Sequence, residues 1–188
     1  MRPSVPDMGQ DKAERIILEI VRQAGGTLVG KTKLFKAFYW AHRFYFDDER
    51  AHGTLSKWPI VRMPKGPGID RCDDLLAALR AKEFLRIEMC PRGKHEAFRF
   101  VLSPADGVPR LEDPIEVEAV KRAVGMVAGK SARGVSEASH DKSTSWRRAK
   151  DGDELDIYAD GLGEDEVERI KATVKEAEAR FEEALGLR

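Results

Sequence analysis

Residues 31–46 constrain the fold more than any other part of the chain, because they form a helical pattern that is apolar on two sides. One stripe contains Leu34, Phe38, Ala41 and Tyr45, and the second contains Phe35, Tyr39, His42 and Phe46. A helix with two apolar sides has to be surrounded by other elements. The sequence therefore predicts a central helix, with His42 as a hydrogen-bonded core histidine.

The remaining patterns place further elements around this helix. Apolar residues at helical spacing predict helices over about 11–24, 69–82, 114–128, 132–139 and 164–185, and Asp113 followed by Pro114 and Glu116 is a strong helix start. Alternating runs at 84–90 and 96–102, separated by a turn at 91–94, predict a β-hairpin. An extended segment over 58–63 leads into a predicted tight turn at 64–68, and Trp146 is expected in a polar loop.

These elements predict a mainly α fold with a small β-hairpin, of the α+β class. Three helices followed by a hairpin is the order of a winged helix. We expect a flexible arm at 1–10, a domain at 11–160 and a C-terminal amphipathic helix at 161–188 packed on that domain. The stripe of this last helix consists of Val167, Ile170, Val174, Ala177, Phe181 and Leu185.

Composition excludes several functional classes. Lys and Arg together number 33, as do Asp and Glu, so no global positive field draws the chain to nucleic acid. Residues 30–65 are locally basic, with eight basic and three acidic side chains. The only cysteines, Cys72 and Cys90, have no paired spacing, and the sequence has no signal-peptide or membrane-span pattern. We expect a cytoplasmic protein without a disulfide framework.

No motif in the sequence predicts catalysis or a bound metal. His140 has Ser139 beside it and Glu137 one turn before it, but adjacent helical residues point in different directions and do not form a nucleophile–base pair. We expect a structural His140 next to Trp146, and a hydrolase using His140 is the weakest alternative. The four histidines lack ligand spacing. We therefore expect no metal and no cofactor.

Three motifs, in order along the chain, resemble the Panacea domain of SocA-like antitoxins, over about residues 11–157. The first is Lys33-Leu34-x-Lys36 with the following Tyr39-Trp40-Ala41-His42, and the second is Lys65-Gly66-Pro67, where the family usually has Tyr-Gly-Pro. The third is similar to the family's Leu-Ser-x-x-Ser-His with a trailing tryptophan. Its residues here are Val135, Ser136, Glu137, Ser139, His140 and Trp146.

This resemblance implies an antitoxin that silences a co-encoded protein toxin by direct contact, or that delivers the toxin to a protease. The motif residues, Leu34 and His42 included, are then fold-defining, and none is catalytic. We expect the partner-binding surface to use the basic stretch and an exposed Trp40, with the set Lys31, Lys33, Lys36, Trp40 and Arg43. The sequence does not decide whether the chain forms a homodimer.

A winged-helix transcriptional regulator is the alternative function from another class. In that case the helix predicted over 69–82 would read DNA and the turn at 91–94 would be the tip of the wing. However, Asp70, Asp73 and Asp74 crowd the end of that helix that would approach the bases, where they meet the phosphates with the wrong sign. Nucleic acid is therefore the less favoured partner.

Overall fold

The computed structural model describes residues 8–93, 95–104, 107–161 and 164–184. Over these residues the fold is a mixed α+β arrangement, which confirms the predicted class. The helices and strands follow one another as α1 Met8–Gln23, β1 Thr27–Val29, α2 Lys31–Phe46, β2 Ile60–Met63, β3 Gly66–Ile69, α3 Cys72–Ala81, β4 Leu85–Arg92, β5 His95–Leu102, α4 Pro114–Val127, α5 Ala132–Lys142, α6 Thr144–Arg148 and α7 Glu164–Ala184.

Helix α2 is the central element, as the sequence predicts. Leu34 and Phe38, from one apolar stripe, and Tyr39, from the other, have no exposed surface. The helix packs most extensively against α4 and also contacts α1, α5, β1 and β3. The hydrophobic core of the described chain is therefore built around α2.

Strands β1, β5 and β4 form an antiparallel sheet in that order. The predicted hairpin is confirmed by the β4–β5 pairing, in which Phe100 lies opposite Ile87, and β1 adds Leu28 on the other side of Phe100. The predicted order of three helices and a hairpin is interrupted, because β1 follows α1 and a second hairpin lies between α2 and α3. A winged-helix fold stays a prediction.

The second hairpin occupies the position of the predicted tight turn. Only Pro64 and Lys65 turn, while Gly66–Ile69 is a buried strand paired with Ile60–Met63. A later segment then extends this small sheet, since the Leu155 amide donates to the Ile60 carbonyl at 2.7 Å and the Arg62 amide donates to the Asp153 carbonyl at 2.8 Å. Glycine and proline are rare within strands, which is why the pattern at 64–68 resembled a turn.

The predicted start of α4 is confirmed. Asp113 is the N-cap, its Oδ1 accepts a hydrogen bond from the Ile115 amide at 2.8 Å, and Pro114 occupies the first helical position. Glu116 does not close a capping box, because its carboxylate pairs with Lys12 of α1 instead. The ion pair therefore links α1 to α4 near the core.

Two expectations for the C-terminal third are wrong. Trp146 lies in the short helix α6 rather than in a loop. In α7, Ile170, Val174 and Phe181 do not pack on the domain, since they expose 46%, 50% and 67% of their surfaces. The Val167 side chain and Leu185 lie outside the described part of the chain. Periodicity alone shows that a helix has an apolar face and does not show what covers that face.

We expect Phe38→Ala to lower the free energy of unfolding by about 2–5 kcal/mol, because it leaves a cavity beside fully buried neighbours. The control is Met89→Ala, which truncates a large apolar side chain that is 51% exposed and should change stability by less than about 1 kcal/mol. Urea unfolding of both variants measures the difference. Similar losses in the two variants would contradict the central position of α2.

Candidate functional site

The three sequence motifs meet at one place in the fold, which we call the motif cluster and define as Lys36, Gly66, Pro67, His140 and Trp146. Lys36 comes from α2, Gly66 and Pro67 from β3, and the aromatic pair from α5 and α6. The Lys36 Nζ donates a hydrogen bond to the Pro67 carbonyl at 2.7 Å. Residues separated by about a hundred positions in sequence therefore form a single structural unit.

Gly66 makes this convergence possible. A Cβ at this position would lie 2.6 Å from the Lys36 Nζ and 2.8 Å from the His140 Nε2, closer than side-chain atoms tolerate. Its φ of +96° is also a conformation that other residues rarely adopt. Lysine and histidine approach the backbone from two helices, and only glycine leaves them room.

His140 is fixed by aromatic stacking. Its ring lies 3.9 Å from the Trp146 ring at an interplanar angle of 4°, which confirms the predicted pairing. Trp146 is held in turn, because its Nε1 donates to the Met63 carbonyl at 2.9 Å and the Arg62 guanidinium lies 4.9 Å from its ring. The cluster thus connects α5 and α6 to the β2–β3 hairpin.

The environment of Lys36 is unusual for an ammonium group. The residue is 1% exposed, and in the described part of the chain no carboxylate pairs with it. Burial lowers the pKa of Lys36 from 10.5 to about 7. The His140 Nε2 nearby is also buried and has no hydrogen-bond partner. Both nitrogens border Gly66.

The remaining residues of the third motif are engaged within or near α5. The Ser139 hydroxyl is fully buried and donates to the Ser136 carbonyl at 2.7 Å. Glu137 is exposed and pairs with Arg133. Ser139 and His140 are therefore not joined as a nucleophile and its base, and the arrangement supplies no activated hydroxyl.

His42 is a satisfied core histidine, as predicted. Its Nδ1 donates to the Phe38 carbonyl at 2.9 Å, and its Nε2 accepts from the Ser56 hydroxyl at 2.8 Å. Complete burial lowers the pKa of His42 to about 4. The ring therefore stays neutral at physiological pH and fixes the residues after α2 against the helix.

Sequence reasoning missed Asp160, which organises the same region. Its carboxylate accepts from the Tyr39 hydroxyl at 3.1 Å, from the Ser143 hydroxyl at 2.7 Å and from the Ser145 amide at 2.7 Å. Burial and the Asp160 charge raise the pKa of Tyr39 well above its usual value. No spacing rule links a carboxylate to a tyrosine about 120 residues earlier.

Three of the five residues expected to bind a partner are interior. Trp40 is 7% exposed and stacks on Phe44, and Arg43 is 8% exposed and donates to the Ile157 carbonyl at 2.9 Å. Together with the burial of Lys36, this makes the expectation of an exposed Trp40 anchor wrong. The physical reason is that α2 is covered on nearly every side, so a residue off both stripes is buried as well.

Lys31 and Lys33 remain partly exposed, and a different apolar surface lies beside Lys31. Met89 and Phe98 are opposite one another in the β4–β5 hairpin and are 51% and 40% exposed. The Lys31 Nζ lies 5.8 Å from the Phe98 ring and 5.7 Å from the Phe35 ring, and it also pairs with Asp73. We call Lys31, Phe35, Met89 and Phe98 the hairpin patch.

A groove of about 690 Å³ runs along the hairpin patch between α3 and β4. Its floor includes Leu76, Ala77 and Ile87 beside Met89 and Phe98. Ile87, Met89 and Phe98 share one face of the hairpin, and α3 leaves Met89 and Phe98 partly uncovered. The groove is therefore an apolar surface with charged residues at its rim.

No group of three or more His, Cys, Asp or Glu side chains in the described ranges is arranged to hold a metal ion. Within those ranges, no helix has the length and apolar content needed to cross a membrane.

Comparisons of the chain with protein-family models, with curated proteins and with solved structures find no significant match. The resemblance to the Panacea domain accordingly rests on the residues of the three motifs.

We expect Gly66→Ala to lower the free energy of unfolding by about 2 kcal/mol more than Gly25→Ala. Both glycines have positive φ, +96° and +81°, but a Cβ at Gly25 meets no atom within 4 Å. Gly25→Ala therefore measures the cost of placing an alanine at positive φ alone. The additional loss of unfolding free energy in Gly66→Ala measures the steric conflict of its Cβ with Lys36 and His140. Chemical denaturation of both variants provides the comparison, and equal losses would contradict a crowded Gly66.

We expect a pH-dependent stability difference between the wild type and Lys36→Met. From about pH 7 to pH 10, Lys36 is protonated in the unfolded chain and deprotonated in the folded chain. In this window the free energy of unfolding therefore rises by up to about 1.4 kcal/mol per pH unit. Below that window both states are protonated and the gain is absent. The wild type should therefore gain stability relative to Lys36→Met as the pH rises through this window.

Urea unfolding of the two proteins across this window tests the prediction. The control is Lys57→Met, which removes an exposed lysine and should differ from the wild type by the same amount at every pH. A stability difference for Lys36→Met that is independent of pH would show that the Lys36 ammonium is not disfavoured in the folded state.

Proposed function

We propose that the chain is an antitoxin-like protein-binding domain that neutralises a toxin encoded beside it, by direct contact or by delivery to a protease. The observation that carries the proposal is the convergence of the three Panacea-like motifs in the motif cluster. Motifs that only happened to occur in one sequence would have no reason to meet around a single glycine. Their meeting supports a shared fold-defining role, and with it the resemblance.

The chemistry of the cluster also favours binding over catalysis. Lys36 is buried, His140 is half-buried with an enclosed Nε2, and Ser139 donates to a main-chain carbonyl of its own helix. A pocket of about 430 Å³ is lined by Ser136, Glu137 and His140. In the described residues, however, no hydroxyl is hydrogen-bonded to the His140 ring, as an activated nucleophile requires. The cluster is suited to holding α2, α5 and the β2–β3 hairpin in one arrangement.

The hairpin patch is the surface that we propose for the toxin. It combines large exposed apolar side chains with a lysine, the composition common at the centre of protein interfaces. Lys33 adds a second basic side chain that has no ion pair among the described residues. Partial burial, followed by the neighbouring charge of Arg92, lowers the pKa of Lys33. The partner segment that fits is apolar with acidic flanks.

A winged-helix regulator is the second candidate. The observation in its favour is that the β4–β5 hairpin follows α3 and that β1 pairs with β5. Against it, residues 47–71 separate α2 from α3, whereas a helix-turn-helix joins its helices by a turn of about three or four residues. Asp73 and Asp74 also stand in the first turn of α3. DNA contact by this helix is therefore disfavoured.

Co-expression tests the antitoxin proposal. The neighbouring open reading frame is induced with and without the chain, and growth is scored for the wild type and for a Met89→Asp/Phe98→Asp variant. We expect the wild type to restore growth and the variant, which carries charge into the hairpin patch, to fail. Arg99→Ala, an exposed change on the same hairpin, is the matched control and should restore growth.

Each outcome has a defined meaning once circular dichroism shows that the variants are folded. If induction of the neighbouring open reading frame alone does not inhibit growth, the antitoxin role is overturned. Restoration of growth by the Met89→Asp/Phe98→Asp variant would show that the toxin binds a surface other than the hairpin patch. Sub-micromolar, sequence-selective binding to the upstream DNA that Arg71→Ala abolishes would replace the proposal with the regulator.

A further inference from the structure

Helix α7 has a line of exposed apolar side chains, which we call the seam and define as Ile170, Val174, Ala177 and Phe181. Ile170, Val174, Ala177 and Phe181 follow one another at steps of four, three and four residues, and all four are exposed. Helices of about twenty residues in proteins derive most of their stability from packing an apolar face. A helix with such a seam is therefore incomplete until another surface covers it.

The spacing of the seam is that of a two-helix coiled coil. Alternating steps of three and four keep apolar residues on one narrow line, whereas a helix packed on a globular core has a wider apolar face. If Val174 and Phe181 take the a positions of the heptad, Ile170 and Ala177 take the d positions. The seam then has the geometry that a second helix of the same kind accepts.

The charges beside the seam indicate how a second copy would lie. With this assignment, Lys171 and Glu178 occupy the e positions, which face each other when two such helices run antiparallel. Glu178 has no ion pair among the described residues, and Lys171 has only an exposed pair with Glu168. In the antiparallel arrangement each Lys171 meets Glu178 of the other copy, and Phe181 meets Ile170.

We propose that α7 is a dimerisation helix, through which two copies of this chain associate by an antiparallel coiled coil. The occupant of the seam is the same segment of a second copy, because its own charges are complementary to themselves in this orientation. The inference is independent of the proposed antitoxin function, since it concerns a surface other than the hairpin patch.

Sedimentation velocity of the full chain over a wide range of protein concentration tests the proposal. We expect a reversible dimer for the wild type and a monomer for Val174→Glu, which puts a charge in the seam. The matched control is Ala172→Glu, which adds the same charge to an exposed position of the same helix away from the seam. This control should dimerise as the wild type does.

Charge exchange tests the orientation. Lys171→Glu and Glu178→Lys should each raise the dissociation constant roughly two- to thirtyfold, because each change breaks two symmetric ion pairs. The Lys171→Glu/Glu178→Lys double variant restores both pairs and should return to the wild-type value. A double variant that stays as weak as the single variants would overturn the antiparallel arrangement.

Three results would overturn the dimer itself. They are a wild type that stays monomeric at every concentration, a dimer that survives Val174→Glu, and equal dissociation by Ala172→Glu. Circular dichroism confirms that the domain stays folded in each variant, which is expected because all the substituted side chains are exposed.

Discussion

The burial of the Lys36 ammonium is the constraint around which this part of the structure is arranged. A charge removed from water is costly unless the interior supplies hydrogen-bond acceptors, and here the described acceptor is the Pro67 carbonyl. That carbonyl reaches Lys36 because β3 passes close to α2, and the close passage depends on a glycine at position 66. The position of His140 above the same glycine depends in turn on Trp146.

Local periodicity and capping rules were enough for much of the fold. The two stripes of α2, the alternating strands of the β4–β5 hairpin and the Asp113 cap are encoded within short stretches, so the sequence predicted them correctly. His42 was also predictable, because a polar ring on an apolar stripe has to find partners inside the core. These features depend on neighbours within a few residues in the chain.

The rest depends on contacts that no short stretch contains. The Asp160 carboxylate joins Tyr39 to α6, and the segment near residue 154 extends the β2–β3 sheet, but neither pairing leaves a pattern in the sequence. Trp40 was expected outside because it lies off both stripes, and it is buried because helices cover α2 on the remaining side as well. The number of elements that pack around a helix is a property of the whole fold.

Part of the surface of α2 is buried by residues that the ribosome adds much later. Tyr39 and Arg43 of α2 are hydrogen-bonded to the segment that ends at Asp160, which is made more than a hundred residues after α2. At typical elongation rates of 5–20 residues per second, α2 waits on the order of ten seconds before this segment exists. During that interval the nascent chain presents an aromatic, basic helix to the chaperones that it meets.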